Sequence, residues 1–278
     1  MDRSPAVAGM FYPAEPGRLR RYIEELFLEH PFGPKKAPRG DKSTIALVEP
    51  HAGYMYSGPC AAHGYTKLRE VDTIIIAGPN HTGFGEPISV RPDGKRITPL
   101  GELEVDLELA SRLNDHSIAR RDYEAHIEEH SIEVQLPFIQ YVYEYNSREM
   151  PKILPIALMN QQPHAMLELA RGIIEASESL GREILFIASS DLNHYEPQPI
   201  TEAKDLSLLQ CIEALDIECL YERIAELNIS ACGPGGIAIA ISLAKRAKAS
   251  AKVLSHYTSG DITGDKRAVV GYASVWMG

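Results

Sequence analysis

The chain has 278 residues, 44% hydrophobic and 24% charged, with a formal net charge of −10. That length suits one large α/β domain or two small ones, with a sizeable core, and the diffuse acidic balance argues against nucleic acid or an anionic membrane as the main partner. No apolar run approaches the roughly 18 residues that span a bilayer, and the first apolar piece is short and broken by prolines, unlike a secretory leader. The expectation is a cytoplasmic protein with Cys60, Cys211, Cys219 and Cys232 all reduced.

From the N-terminus, GRLRRYIEELFLEH puts Leu19, Ile23, Leu26 and Phe27 on one stripe and predicts a helix. A connection rich in Pro and Lys follows, Pro31 to Ser43. TIALVEP from Thr44 and TIIIAGP from Thr73 are branched apolar runs bounded by turn residues, and they read as buried strands. Asp93-Gly94 between two alternating runs predicts a hairpin. LGELEVDLELASRLND predicts a strand running into a helix, and SIEVQLPFIQYVY aligns Ile132, Leu136, Ile139 and Val142. ILPIALM from Ile153, ILFIASS from Ile184 and AVVGYASVWM from Ala268 supply further strands.

Between those strands, PHAMLELARGIIEASESL places Leu167, Ala170, Ile174 and Ser177 on a helical stripe, with Leu169 and Ile173 beside it. DLSLLQCIEALD and GGIAIAISLAKRAKA are helical too, and Cys60, Cys211 and Cys219 fall within predicted helices. Apolar runs buried on both faces and alternating with helices predict a three-layer α/β sandwich. The central sheet is expected to be mostly parallel or mixed, with residues 1–278 forming one domain.

In open α/β sheets, ligands gather at the carboxyl ends of the strands. His51 follows the first strand and His81 the second, while Asp191 and His194 follow ILFIASS. One loop histidine is more often a turn or surface residue. Three at equivalent strand ends point to a convergent pocket. Cys232, in NISACGPGG, precedes a predicted helix whose N–H groups and dipole favour a thiolate, although a free cysteine is more often a small buried hydrophobe.

His51, His81 and Cys232 would make an open metal site. Asp191 and His194 would then act as proton donor and acceptor beside it. Tyr54, Asn80 and Gly233 are placed around this pocket, and His130, Glu133 and Gln135 at its rim. A competing motif is HIEEH, residues 126–130, which matches an inverted zincin pattern and would seat His126 and His130 on one helix face. If Ser131 caps the following helix, the run lies before that helix and His126 is a solvated loop residue. No nucleophile elbow, P-loop or dinucleotide fingerprint is present.

Seven segments carry a resemblance: AVAGMFYP, PHAGYMYSG, GPNHTG, EHSIEVQLPFIQ, SSDLNHY, CGPGG and GYAS, in order from Ala6 to Ser274. Together they resemble the Memo family (mediator of cell motility), whose prokaryotic members are called AmmeMemoRadiSam system protein B. The resemblance implies an α/β fold similar to class III, LigB-type, non-haem iron extradiol dioxygenases. It implies His51, His81 and Cys232 as metal ligands with Asp191 and His194 beside them, and iron or copper ahead of zinc. By family association it implies radical-SAM and AMMECR-type proteins as partners.

The dioxygenases hold iron with two histidines and a carboxylate, and here Cys232 takes the carboxylate's place. A softer thiolate shifts preference toward copper(I), zinc or thiolate-bound iron. The expected function is a metal-dependent redox or oxygen-activating protein with a small-molecule or peptide ligand. The alternative is a non-catalytic binding module that keeps a dioxygenase-like pocket.

Overall fold

A computed structural model describes residues 2–278. The first half holds α1 (Pro16–Leu28), β1 (Ala46–Glu49), α2 (Tyr54–Tyr65), β2 (Thr73–Pro79), β3 (Ile88–Val90), β4 (Lys95–Thr98), β5 (Gly101–Glu104), α3 (Leu107–His116), β6 (Arg120–Arg121) and α4 (Leu136–Tyr145). The second half holds β7 (Lys152–Leu158), α5 (Pro163–Leu180), β8 (Ile184–Ser189), β9 (His194–Glu196), α6 (Gln198–Glu213), α7 (Ile217–Leu227), α8 (Pro234–Ala247), β10 (Ala251–Thr258), α9 (Ser259–Thr263) and β11 (Val269–Met277). Two 3-10 turns, Glu124–His126 and Glu133–Gln135, precede α4. Among the described residues no helix is long and apolar enough to cross a membrane.

The main sheet has nine strands in the order β10-β11-β1-β8-β2-β7-β3-β6, with β9 joined to β11. Its centre, β1-β8-β2-β7, is parallel, and β11 and β3 flank that centre antiparallel. The continuous apolar runs explain the centre. Every residue of β1 and β2 is buried, because alternate side chains enter opposite cores. Ala46, Val48, Ile75 and Ala77 face a core built with α3, α5 and α8. Leu47, Ile74 and Ile76 face a second core built with α1, α2 and α4. The result is the mixed, three-layer α/β arrangement that the pattern predicts.

Three expectations are corrected. Asp93-Gly94 does not make the hairpin. β4 pairs with β5, Thr98 opposite Gly101, so the hairpin turns one element later. All three β3 residues are buried and pair with β7 in the main sheet, whereas β4 buries alternate residues only. Gly94, at φ +86°, merely turns the chain between them.

In α5 the buried stripe runs through Met166, Leu169, Ile173 and Ala176. Leu167 is 48% exposed, so the stripe is rotated toward the residues first placed beside it. Finally, Cys211 and Cys219 are not reduced. They form a disulfide with Cα atoms 5.5 Å apart, joining the end of α6 to the first turn of α7. Cys60 and Cys232 are free.

Candidate metal centre

β1 and β8 run parallel with Glu49 opposite Ser189, so residues two positions beyond each strand emerge level. These are His51 and Asp191, and the His51 backbone N–H donates to Asp191 Oδ1 at 2.8 Å. β2 delivers His81 from the next strand position but one. A third imidazole, His130, comes from the segment between the two 3-10 turns. That segment has no regular hydrogen bonding of its own and is held from outside.

Arg3 does the holding. Its guanidinium donates to the carbonyls of His126 at 3.0 Å, Ile127 at 3.1 Å and Glu129 at 2.8 Å, and pairs with Glu133. The Glu133 carboxylate also accepts from the Ala6 and Val7 N–H groups and from the Tyr12 hydroxyl at 2.5 Å. The N-terminal segment is thereby stitched to the loop that carries His130. It also lays Phe11 against His130, with ring centroids 4.9 Å apart.

His51, His81 and His130 present ligand atoms that all lie within 4.8 Å of one another. His51 is buried, His130 half-buried and His81 exposed, so the cluster opens to solvent on one side. Burial, helped by the nearby His130 and His81, pushes the His51 pKa well below its usual value. Burial likewise lowers His130 against the pull of Glu129. Both rings are therefore neutral near pH 7 and keep a lone pair to offer.

Behind them sits Glu129, fully buried, its Oε1 2.9 Å from His81 Nδ1 and 3.6 Å from His130 Nδ1. Burial alone would raise this carboxyl. The hydrogen bond and charge of His81, with the N–H groups of Ser131 and His81, outweigh it and hold the pKa at about 2. A carboxylate behind an imidazole fixes the ring and raises its basicity, as metal-binding histidines require.

Three convergent imidazoles suit iron, copper, zinc or nickel. Bonds of about 2.0–2.1 Å would need nitrogens at the outer limit of that spacing to be drawn closer. The donor set fits a metal.

The structure moves His130 from the rim to the centre. Cys232 is outside this close triad, but its Sγ lies 3.3 Å from His51 Nε2 and accepts from the Asp191 N–H at 3.2 Å. The surroundings of Cys232 oppose the expected thiolate. Burial, then the charge of Asp191, pushes the thiol strongly upward, and the start of α8 beside it does not compensate. Asp191 is itself raised by burial, partly offset by its bond from the His51 N–H. His194 stands with its ring Nδ1 2.8 Å from Ser230 O. A carbonyl can only accept, so Nδ1 carries a proton.

The other candidates have local duties. Tyr54 is fully buried and donates to Val134 O at 2.7 Å, so it belongs to the core under the site. Asn80 shapes the His81 loop, its Oδ1 accepting from Thr82 and Gly83 and its Nδ2 donating to Phe84 O. Gly233 donates to Ser190 Oγ at 2.9 Å, and a Cβ there would sit 2.6 Å from Ser189 O. Glycine is required for that approach. Glu133 binds the N-terminal segment, as described above.

His126 is fully buried, and neither ring nitrogen has a hydrogen-bond partner among the described residues. It is therefore not a solvated loop residue. It ends a 3-10 turn, while His130 lies in the loop beyond, so the inverted zincin helix does not exist. Sequence reasoning missed Glu129 and Ser189. The signal for Glu129 was its place between the histidines of HIEEH, and for Ser189 its place two residues before Asp191.

The chain matches the Memo-like protein family over residues 3–276. It is similar to a "MEMO1 family protein" of Desulfurococcus amylolyticus, 48% identical over 281 residues and 98% of each chain. A relative with the same description from Sulfolobus acidocaldarius is 47% identical across the whole of both chains. One from Thermotoga neapolitana is 42% identical over 99% of each. With a family match spanning nearly the whole sequence and relatives of this closeness, the chain belongs to the Memo-like protein family.

Proposed function

We propose that this chain is a metal-dependent redox protein with a mononuclear iron or copper centre held by His51, His81 and His130. Cys232, against His51, is the adjoining sulfur donor. The observation that carries this reading is the approach of three imidazole donors from separate segments to within 4.8 Å, with the Glu129 carboxylate behind them. When bound, such a metal supplies Lewis acidity and one-electron exchange.

The remaining chemistry belongs to the chain. His194, with Nδ1–H fixed on Ser230 O, offers Nε2 as a base toward an acidic ligand group. Cys232 Sγ keeps its proton in the metal-free protein. Asp191 holds the His51 backbone in place through its Oδ1. Exposed Phe84, in the loop of His81, and exposed Tyr195, beside His194 in β9, offer apolar surface to a small aromatic ligand or a peptide side chain.

The test is metal content per chain after anaerobic purification of wild type, His81→Ala, His130→Ala, Glu129→Gln and Cys232→Ser. His81→Ala and His130→Ala are expected to lose at least nine-tenths of the metal. Glu129→Gln should bind about 10–100-fold more weakly. Equal metal content in all five proteins would overturn the reading. Metal retained without any His194-dependent oxygen or peroxide consumption would instead favour a binding module that keeps the pocket.

A further inference from the structure

Behind His51 lie two buried polar side chains to which the metal reading assigns no role, Ser189 and Gln135, both with no exposed surface. Their hydrogen bonds can be directed without ambiguity, because two of the partners are backbone carbonyls, which only accept. Gln135 places one amide atom 3.1 Å from Pro50 O, and that atom must be the nitrogen, Nε2. Its oxygen then faces the Tyr65 hydroxyl, which donates to Oε1 at 2.7 Å. The second N–H of Nε2 points to Ser189 Oγ at 2.7 Å.

Ser189 Oγ also stands 2.7 Å from Ser131 O, so the single hydroxyl proton of Ser189 goes to that carbonyl. One contact remains, between Ser189 Oγ and His51 Nδ1 at 2.9 Å. With its proton committed, the hydroxyl can only accept there. The ring must supply the hydrogen.

We infer that Ser189, oriented by Gln135, is a positioning residue that holds His51 in the Nδ1–H tautomer, with its Nε2 lone pair turned to the metal centre. The opposite tautomer would set an N–H against the metal and leave Nδ1 facing an oxygen with no proton to give. Two acceptors in contact inside a buried core are costly. The same direction makes the Cys232 thiol the donor in its 3.3 Å contact with His51 Nε2, so one lone pair serves the thiol before metal arrives and the metal afterwards. The consequence for affinity rests on the proposed metal centre. The tautomer does not, since it belongs to the metal-free protein.

The experiment is nuclear magnetic resonance of the metal-free protein with 15N-labelled histidine, followed by titration with Co²⁺. In wild type the His51 signals should be those of a protonated Nδ1 and an unprotonated Nε2. Ser189→Ala removes the acceptor and should let the ring move its hydrogen to Nε2, where Cys232 Sγ can accept it. Ser131→Ala, which removes a neighbouring buried hydroxyl but keeps the Ser131 carbonyl, should leave the wild-type signals unchanged. Co²⁺ should bind Ser189→Ala about 10–100-fold more weakly than either of the others.

A protonated Nε2 in wild type overturns the inference, and that measurement needs no variant to fold. An unchanged His51 tautomer in Ser189→Ala also overturns it. If the tautomers behave as stated but wild type takes up no Co²⁺, the metal-centre reading fails and the positioning of His51 stands.

Discussion

Glu133 is the residue whose charge does most for the architecture of the site without entering it. Burial opposes its ionisation, but the Arg3 guanidinium, the Tyr12 hydroxyl and the Ala6 and Val7 N–H groups together keep its pKa below the usual value. The folded state thus binds this proton less tightly than the unfolded state. The stability it contributes is complete above the unfolded value, about 4.3, and is lost as pH falls below it. Glu133→Gln should cost about 3–5 kcal/mol at pH 7, because it leaves a buried Arg3 unpaired. In urea unfolding between pH 7 and pH 3 the gap between wild type and variant should narrow toward the acid end; a constant gap would refute the argument. Sequence reading reached His51, His81 and Asp191 because strand ends are visible as the limits of apolar runs. His130 and Glu129 were harder to place. They arrive on a segment with no periodicity, held by an arginine 126 positions from the Glu129 carbonyl it binds.

Elements were legible where burial is one-sided or complete, and less so where two strands compete for one partner. α1 buries Leu19, Ile23, Leu26 and Phe27, the same four residues that its spacing picks out. The hairpin was misplaced because turn chemistry at Asp93-Gly94 is local, while the choice of β7 as the partner of β3 is made across the sheet. The packing of α2 on β1 was invisible for a similar reason. Gly64 lies over the buried Glu49 carboxylate, with Ser274 Oγ 2.7 Å from where a Cβ would stand. Gly64→Ala should therefore destabilise by about 2–3 kcal/mol, the usual cost of overpacking. Combining it with Glu49→Ala should recover part of that loss, since the two sites share one space. Thermal melts of the two single variants and the double variant decide this, and strict additivity would rule out the contact.

At the scale of the molecule, the proposed metal centre depends on residues at the N-terminal end of the chain, far in sequence from the loop they brace. Deleting residues 2–8 removes no proposed ligand. It does remove Arg3 and the N–H groups of Ala6 and Val7, all of which brace the His130 loop through its carbonyls and Glu133. Metal per chain in that deletion should fall by half or more while far-ultraviolet circular dichroism stays near wild type. Full metal content would show that the brace is dispensable. The strand order carries a last consequence. Every imidazole of the cluster lies in the first 130 residues of the chain, yet β8 stands between β1 and β2 and begins only at Ile184. A nascent chain halted on the ribosome at residue 150 would already contain all three and still be unable to gather them. An ion bound as proposed could therefore be captured only once β8 has been made and has taken its place between β1 and β2.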